Sequence, residues 1–203
     1  MEKTVKIKLA SDVDEKRIMS VLSTSFPHDR YMTYLLEPSK NPDKLNILIR
    51  YIIQQTLAKG KAYITESASA TALWLTHRKE KFTWKFIQRN VNIYRQLGRK
   101  CIERMLKMER ISHKEFPSNS PFMYLYMIGV TPECRGRGYA SALLDSALAE
   151  ADDKNLAVFL ETANEQNVTI YEKKGFSTTR TFQDGEFTVY YMSRNSSVKN
   201  QKQ

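Results

Sequence analysis

The sequence predicts an α/β (α+β) fold with one mixed, mostly antiparallel sheet of six to seven strands and helices on both faces. Apolar residues alternate in some segments and recur every three to four residues in others, in the order β-α-α-β-β-α-β-α-β-α-β-β. The central strand-helix-strand order implies a parallel pair because its crossover is helical, whereas the hairpins imply antiparallel pairs.

The pattern centres on a strand, a turn and a helix in direct succession. Residues 124–130 are aromatic, β-branched or otherwise apolar and predict a buried strand, and residues 140–151 repeat apolar residues at helical spacing. The turn between them contains Gly136 and Gly138. Backbone N–H groups converge where such a turn enters a helix, so this place can bind an anion. An ordinary β-turn-α connection is the alternative that the spacing leaves open.

The flanking elements are predicted from periodicity and turn residues. Before the centre, these are a half-buried strand at 4–9, a helix from Ser11 to about Phe26, a loop or short helical turn at 29–32, a helix from about Pro42 that stops at Gly60, and strands at 61–66 and 70–76. After it, these are a strand at 156–162, a helix at 165–174 that Gly175 terminates, strands at 176–181 and 186–193 around an Asp184-Gly185 turn, and a flexible tail at 195–203.

Most of the positive charge lies in one segment. The net charge is +10, and residues 77–114 contain twelve Lys or Arg against three Glu. A solvated helix face, a nucleic-acid surface and attraction of a polyanionic cofactor all fit this charge. Helical spacing across Gly98 predicts one bent helix or two helices, followed by a loop from His113 to Ser120. The residues expected to face a core are Phe82, Phe86, Ile87, Val91, Tyr94, Leu97, Ile102, Met105 and Leu106.

Length and composition favour a single globular domain. The chain has 203 residues, of which 41% are hydrophobic and 27% charged, as is ordinary for such a domain. No apolar run approaches the roughly 18 residues of a membrane span, and the N-terminus lacks the apolar core of a secretory signal. Cys101 and Cys134 suggest neither a disulfide framework nor a metal site. We therefore expect a cytoplasmic protein with no membrane partner and no metal.

Two motifs carry a resemblance to a known family. The turn Arg135-Gly-Arg-Gly-Tyr-Ala140 fits the pattern Arg/Gln-x-x-Gly-x-Gly/Ala. After the next strand come Asn167, then Tyr171 on the same helical face, and then Gly175-Phe176. Together these motifs resemble the GCN5-related N-acetyltransferase (GNAT) family over residues 124–176.

The resemblance implies one GNAT-like acetyltransferase domain over residues 1–203, with a basic helical insertion at about 79–116 where many family members have a short connection. It implies transfer of an acetyl group from acetyl-CoA to an amine by direct attack in a ternary complex. It also implies a bulge in the strand before the turn, mapped to residues 128–130, where that strand separates from its neighbour and admits the pantetheine arm. The residues it assigns to acetyl-CoA are Ile128, Gly129, Val130, Arg135, Gly136, Arg137, Gly138, Tyr139, Ala140, Ser141, Asn167 and Tyr171.

Two side chains are candidates for proton transfer. A lysine-like amine with a pKa of about 10.4 must lose a proton before it attacks, at a cost of ~4.6 kcal/mol at pH 7. Glu161 is the candidate base, with a solvent-facing or structural carboxylate as the alternative; Glu115 and His113 are weaker candidates on the expected loop. Tyr171 is the candidate acid for the leaving thiolate, with a core tyrosine as the alternative. Cys134 has no base at a useful spacing, so we expect no covalent intermediate.

The acceptor is left open by the sequence. A small-molecule amine and a peptide amine both fit, as do a monomer and a homodimer. The alternative function is a non-catalytic CoA- or RNA-binding regulatory module that uses the basic segment at 78–114, with nucleic acid as the less favoured partner.

Overall fold

A seven-stranded sheet forms the framework of the protein. The computed structural model describes residues 5–36, 43–76, 91, 93–115 and 120–196. The strands are β1 Ile7–Leu9, β2 Gly60–Thr65, β3 Ala70–Thr76, β4 Phe122–Val130, β5 Ala157–Thr162, β6 Ser177–Asp184 and β7 Phe187–Arg194.

The strand order across the sheet is β1-β2-β3-β4-β5-β7-β6. The β4–β5 pair is parallel, and the other five pairs are antiparallel. This arrangement confirms the mixed, mostly antiparallel sheet that the sequence predicts. Strand β1 is shorter than the predicted 4–9, because it is an edge strand whose register with β2 covers only Ile7–Leu9.

Helices cover both faces of the sheet, as predicted. They are α1 Glu15–Ser25, α2 Arg30–Leu36, α3 Lys44–Lys59, α4 Arg99–Glu115, α5 Tyr139–Asp153 and α6 Glu165–Glu172, with short 3₁₀ helices at Asp12–Asp14 and Pro132–Cys134. Helix α2 occupies the place of the predicted loop or short turn. It begins there because Asp29 caps it: Asp29 Oδ1 accepts from the amide of Met32 at 2.9 Å.

Each face of the sheet has its own apolar core. One core joins α1, α3 and α4 to the sheet through residues such as Leu22, Ile49 and Met127. The other lies under α5 and α6 and includes Leu144 and the fully buried Trp74. No helix among the described residues is both long enough and apolar enough to cross a bilayer.

In the described part of the basic insertion, the helix is interrupted at Gly98. Residues 93–97 are helical, Gly98 adopts φ +85°, and α4 begins at Arg99. The predicted inward positions are partly wrong, because the buried face is a neighbouring stripe: Val91, Tyr94 and Leu106 are exposed, whereas the buried residues, which recur at helical spacing, are Ile93, Leu97, Cys101, Met108 and Ser112. The predicted loop from His113 is also wrong at its start, since α4 continues to Glu115. Phe82, Phe86 and Ile87 lie outside the described residues.

Most predicted element ends agree with the structure. Helix α6 ends just before Gly175, whose amide donates to the carbonyl of Glu172 at 2.9 Å. Strands β6 and β7 form the predicted hairpin, and its two-residue loop is Gly185-Glu186. The predicted tail lies mostly outside the described residues.

Gly60 is needed for a close approach between β2 and β3. Its φ of −137° is extended, so a left-handed helix cap is not the reason for glycine here. A Cβ added at Gly60 would lie 2.0 Å from the carbonyl oxygen of Trp74. The end of α3 and the start of β2 therefore tolerate no side chain at this position.

We predict that Gly60→Ala lowers the free energy of unfolding by about 3 kcal/mol, because the clash is with backbone that cannot move away cheaply. Urea unfolding followed by circular dichroism measures the loss. Gly98→Ala is the matched control. The added Cβ would meet Lys44 Nζ at an ordinary 3.9 Å, so only the left-handed φ of this residue should destabilise the variant, by about 1 kcal/mol. Equal losses in the two variants would contradict the close approach as the cause.

Candidate active site

Strand β4 is paired on both sides only in its first part. Its register with β5 ends at Leu125↔Leu160, whereas its register with β3 continues to Val130↔Ala70. The β3 register shifts near this point, because Leu73 faces Met127 while Trp74 faces Leu125, which leaves Tyr126 as an extra residue on β4. The bulge therefore lies at Tyr126 and not at Ile128, Gly129 and Val130, where the resemblance mapped it. A bulge increases local twist, and β4 separates from β5 directly after it.

The separated end of β4 packs against α1. A Cβ at Gly129 would lie 3.0 Å from Leu22 Cδ2 and 3.0 Å from Ser25 Oγ, so glycine at this position allows a close helix–strand contact. Ser25 Oγ lies 3.0 Å from the carbonyl oxygen of Val130. Within the described ranges β5 pairs with β7 rather than with 126–130, so the backbone groups of β4 that face β5 are open to another partner.

The glycine turn presents unpaired amides at the N-terminus of α5. Gly136 and Gly138 have φ of +73° and +79°, and a Cβ at either residue would meet no atom within 4 Å. Among the described residues, no backbone carbonyl accepts from the amides of 136–140; the first helical bond runs from Ala142 to Gly138 at 2.9 Å. Open space beside both glycines, amides without a described backbone acceptor and the positive end of the α5 dipole together make an arrangement that can bind an anion.

The other residues assigned to acetyl-CoA border this turn or lie on α6. Arg135 Nη2 donates to the carbonyl of Ser25 at 3.3 Å and ties the turn to the end of α1. Asn167 Nδ2 lies 3.5 Å from Thr162 Oγ1 at the end of β5. Arg137 is exposed, and the half-buried residues at the start of α5 are Tyr139, Ala140 and Ser141.

Tyr171 is buried on α6, with 6% of its surface exposed. Its ring packs edge-to-face on Phe176 at 5.9 Å between centroids. Burial, with a smaller effect of the Asp29 charge, raises the pKa of the Tyr171 hydroxyl, so this hydroxyl stays protonated at neutral pH. Burial also raises the pKa of Asp29, against the opposing effect of amide hydrogen bonds from Met32 and Tyr31.

Glu161 lies near the end of β5 and accepts three hydrogen bonds from hydroxyl groups. Tyr31 donates to Oε2 at 3.0 Å, and Tyr124 and Ser112 donate to Oε1, Tyr124 at 2.8 Å. Burial raises the pKa of Glu161 because it penalises the charge, and the three hydrogen bonds offset this only in part. Glu161 is half-buried and bound by three hydroxyl groups, so it fits the structural alternative as well as a carboxyl group that exchanges a proton.

Tyrosines surround this carboxyl group. Burial raises the pKa of each, so all of them are neutral hydroxyl groups at physiological pH. The Tyr191 hydroxyl is buried and has no hydrogen-bond partner within the described part of the chain. The tyrosines are Tyr31, Tyr124, Tyr126 and Tyr191.

The start of α2 connects the two candidate catalytic residues. Asp29 is close enough to Tyr171 to affect its ionisation, and Tyr31, two residues later, binds Glu161. Tyr171 and Glu161 therefore border the same region, beside the gap between β4 and β5.

Helix α4 and the β6–β7 hairpin hold α2 in place. The Tyr34 ring stacks on Phe187 with centroids 3.9 Å apart. Tyr34 Oη and Lys107 Nζ both donate to Asp184 Oδ2, at 2.9 and 2.7 Å. Arg104 Nη1 donates to the carbonyl of Tyr34 at 2.6 Å. The insertion thus contacts the segment that carries Asp29 and Tyr31.

Of the weaker sequence candidates, Glu115 is held in an ion pair. Glu115 lies on α4, not on a loop, and its carboxylate pairs with Arg180 at 2.9 Å. The side chain of His113 lies outside the description. Cys134 is a free, half-buried thiol.

Sequence reasoning missed four residues that contact or influence the candidates: Asp29, Tyr31, Ser112 and Tyr124. Ser112 could have been predicted to face inward, because it lies at helical spacing from Cys101 and Met108, which form a buried stripe. A serine on such a stripe needs a buried hydrogen-bond partner. No comparable local signal marks the others, because their contacts depend on how α2 packs.

A sequence model of the Acetyltransferase (GNAT) family matches residues 95–176, which span α4 to the end of α6. The match includes the glycine turn, Asn167 and Tyr171. Over these residues the chain is similar to the GNAT acetyltransferase family.

Solved structures of acetyltransferases with the GNAT fold resemble this chain over nearly its whole length. A Corynebacterium glutamicum protein named as histone acetyltransferase HPA2 and related acetyltransferase is 21% identical, with a TM-score of 0.71 over 98% of this chain and 99% of its own. Arylalkylamine N-acetyltransferase 2 of Aedes aegypti is 11% identical, with a TM-score of 0.71 over 95% and 99% of the two chains. A polyamine N-acetyltransferase of Drosophila melanogaster is 11% identical, with a TM-score of 0.61 over 94% and 99%.

We predict that Glu161→Gln gains stability relative to the wild type as pH rises. The folded wild type holds its carboxyl proton more tightly than the unfolded chain, so deprotonation above the usual value of 4.5 penalises only the folded state. The Gln variant has no charge to bury. The difference in unfolding free energy, measured in urea at about pH 4.5 and at about pH 8, should therefore widen in favour of the variant.

Glu186→Gln, in the exposed β6–β7 turn, is the control for this pH series. Its difference from the wild type should stay nearly constant. If the unfolding free energy of Glu161→Gln relative to the wild type instead falls between about pH 4.5 and about pH 8, the three hydrogen bonds outweigh the cost of burial.

Proposed function

We propose that this protein is an N-acetyltransferase that moves the acetyl group of acetyl-CoA to an amine by direct attack in a ternary complex. The observation that carries the proposal is the turn at 136–140, where amides without a described backbone acceptor and open space beside both glycines come together at the start of α5. It lies at the end of the strand that separates from β5, so one continuous site can extend from the turn to Glu161 and Tyr171.

The chain offers two kinds of contact to acetyl-CoA. The amides of 136–140 would bind the pyrophosphate, with Arg135 and Arg137 adding positive charge. The open backbone groups of β4 at Ile128, Gly129 and Val130 would pair with the amides of the pantetheine arm, as an added strand does. Asn167 and Tyr171 would border the thioester end of that arm.

Glu161 and Tyr171 divide the proton transfers in this proposal. Glu161 takes the proton of the amine as its nitrogen bonds to the thioester carbonyl carbon. Tyr171 donates its hydroxyl proton to the sulfur as the carbon–sulfur bond breaks. A buried carboxyl group with a raised pKa suits the first task, and a hydroxyl kept protonated by burial suits the second.

An amine acceptor is supported by the structural relatives. Their names mention arylalkylamines, polyamines and the alanine of ribosomal protein S18. We therefore infer a small-molecule or peptide amine. A cytoplasmic location and a monomeric or homodimeric state stay predictions from the sequence.

The described part of the insertion gives little support to the regulatory RNA-binding alternative. On α4, Arg99 pairs with Glu103 at 2.7 Å and Lys107 with Asp184 at 2.7 Å. Arg104 donates to the carbonyl of Tyr34. Cations that already bind groups of the protein are less available to phosphates.

We predict that saturating acetyl-CoA stabilises the wild type and that Gly138→Ala abolishes most of this effect. A ligand at about 100 times its Kd adds about 2.7 kcal/mol to the unfolding free energy, which a thermal-shift assay detects. The Cβ that this substitution adds would occupy the open space that the pyrophosphate needs. Gly185→Ala is the matched control, because it also has a positive φ, of +61°, and no atom within 4 Å. Equal stabilisation of both variants by acetyl-CoA would contradict binding at the turn.

We predict that the wild type releases free thiol from acetyl-CoA when amines are supplied, and that Tyr171→Phe lowers kcat by about 100-fold while acetyl-CoA binding is nearly unchanged. A thiol-reactive dye follows the reaction over a panel of arylalkylamines, polyamines and peptide N-termini. Tyr190→Phe, which changes a half-buried tyrosine on β7, is the control. Binding of acetyl-CoA without turnover on any amine would leave a non-catalytic CoA-binding module as the better account.

A further inference from the structure

We propose that Ser112, on the insertion helix α4, is a positioning residue whose hydroxyl follows the proton on Glu161. Ser112 donates to the carboxylate while Glu161 is ionised, and it turns to the carbonyl of Met108 when Glu161 takes up a proton. The inference rests on the proposed function only for its consequence in catalysis, because the exchange of hydrogen bonds is a property of the protein alone.

The geometry gives Ser112 two acceptors. Its Oγ lies 2.9 Å from the carbonyl oxygen of Met108 and within hydrogen-bond distance of Glu161 Oε1. A serine hydroxyl has one hydrogen to donate and two lone pairs to accept with, so it can serve only one of these acceptors at a time. Ser112 is buried, with 6% of its surface exposed, and water does not readily replace either bond.

The two hydrogen-bond patterns correspond to the two states of Glu161. When the carboxyl group is ionised, it accepts from Ser112, Tyr124 and Tyr31. When Oε1 is protonated, it must donate, and Ser112 Oγ can accept if its own hydrogen points to Met108. The hydroxyl of Ser112 and both oxygens of Glu161 keep a hydrogen-bond partner in either state, so the proton can arrive without orphaning one of these groups.

The other groups near Glu161 are neutral tyrosines or charges that lie further away, so the switch of hydrogen bonds is assigned to Ser112. Tyr31 lies on α2, Tyr124 and Tyr126 on β4, and Tyr191 on β7, and all four are neutral hydroxyl groups. The charged groups that act on these tyrosines from further away are Glu109 and Glu115 on α4 and Arg180 on β6; Tyr51 on α3 also faces Tyr126. Ser112 is thus the group on the insertion helix that binds the carboxylate directly.

The test is a titration of the Glu161 carboxyl group in the protein without ligand. Infrared difference spectra across a pH series show the protonated carboxyl band, which Glu161→Gln identifies by removing it. In Ser112→Ala the band should persist to higher pH than in the wild type, because the carboxylate has lost a donor. Ser112→Thr keeps a hydroxyl and should restore the wild-type midpoint.

Two further variants keep the outcome clear. Thr24→Ala removes a similar helix hydroxyl, which lies 3.0 Å from the carbonyl of Ser20 on α1, and should leave the midpoint unchanged. Ser112→Cys nearly preserves the side-chain volume but donates weakly, so it should behave like Ser112→Ala even if the alanine variant is unstable. A midpoint that is the same in the wild type, Ser112→Ala and Ser112→Cys would overturn the proposal.

The pH profile of kcat/KM links this exchange to catalysis. In Ser112→Ala the acidic limb should move to higher pH, and kcat/KM on that limb should fall by about tenfold, the effect of one charge-assisted hydrogen bond. A wild type that transfers no acetyl group would refute the proposed function while the infrared titration still tested Ser112. An active wild type with an unmoved midpoint and an unmoved acidic limb in Ser112→Ala would refute the role of Ser112 alone.

Discussion

The separation of β4 from β5 is the constraint on which the rest of the structure depends. Up to Leu125 and Leu160 the two strands pair, and beyond that point β4 stays with β3 while β5 stays with β7. Peptide groups that have lost a strand partner need another one. Glu161 lies near the end of β5, and the glycine turn and Tyr171 lie on the elements that follow β4 and β5 in the chain, so all three are placed near this opening. The opening thus determines both where a ligand can pair and which side chains it meets.

The second organising feature is the kind of partner that surrounds the buried carboxyl group. Glu161 is bound by neutral hydroxyl groups from α2, α4 and β4. A lysine or arginine in direct contact would hold the carboxylate firmly ionised and make it a poor base. Hydroxyl donors compensate for part of the burial and leave the group able to take a proton. Burial thus raises the pKa of both Tyr171 and Glu161, which is compatible with the acid and base roles proposed for them.

The sequence predicted what depends on local pattern. The order of elements, the parallel central pair and the glycine turn follow from periodicity and turn residues, and they agree with the structure. The errors arose where a distant contact decides the outcome. The bulge lies at Tyr126 because of the β3 register, and Val91, Tyr94 and Leu106 are exposed because tertiary packing buries a neighbouring helical stripe instead. The contacts of Tyr31 and Ser112 could not be predicted, because they join segments 130 and 49 residues away to Glu161.

The contact from α4 also bears on how such a protein can change over evolution. Insertions between the strands of a sheet are usually regarded as exchangeable parts that alter specificity and leave the chemistry alone. Here the insertion supplies Ser112 to a carboxyl group on β5 and holds α2 through Arg104. Shortening or replacing it would remove a hydrogen-bond donor from Glu161 and a contact that holds α2. Recombination at this position is therefore constrained by the core, and substitutions on exposed positions of α2 should be tolerated more readily than exchange of the whole insertion.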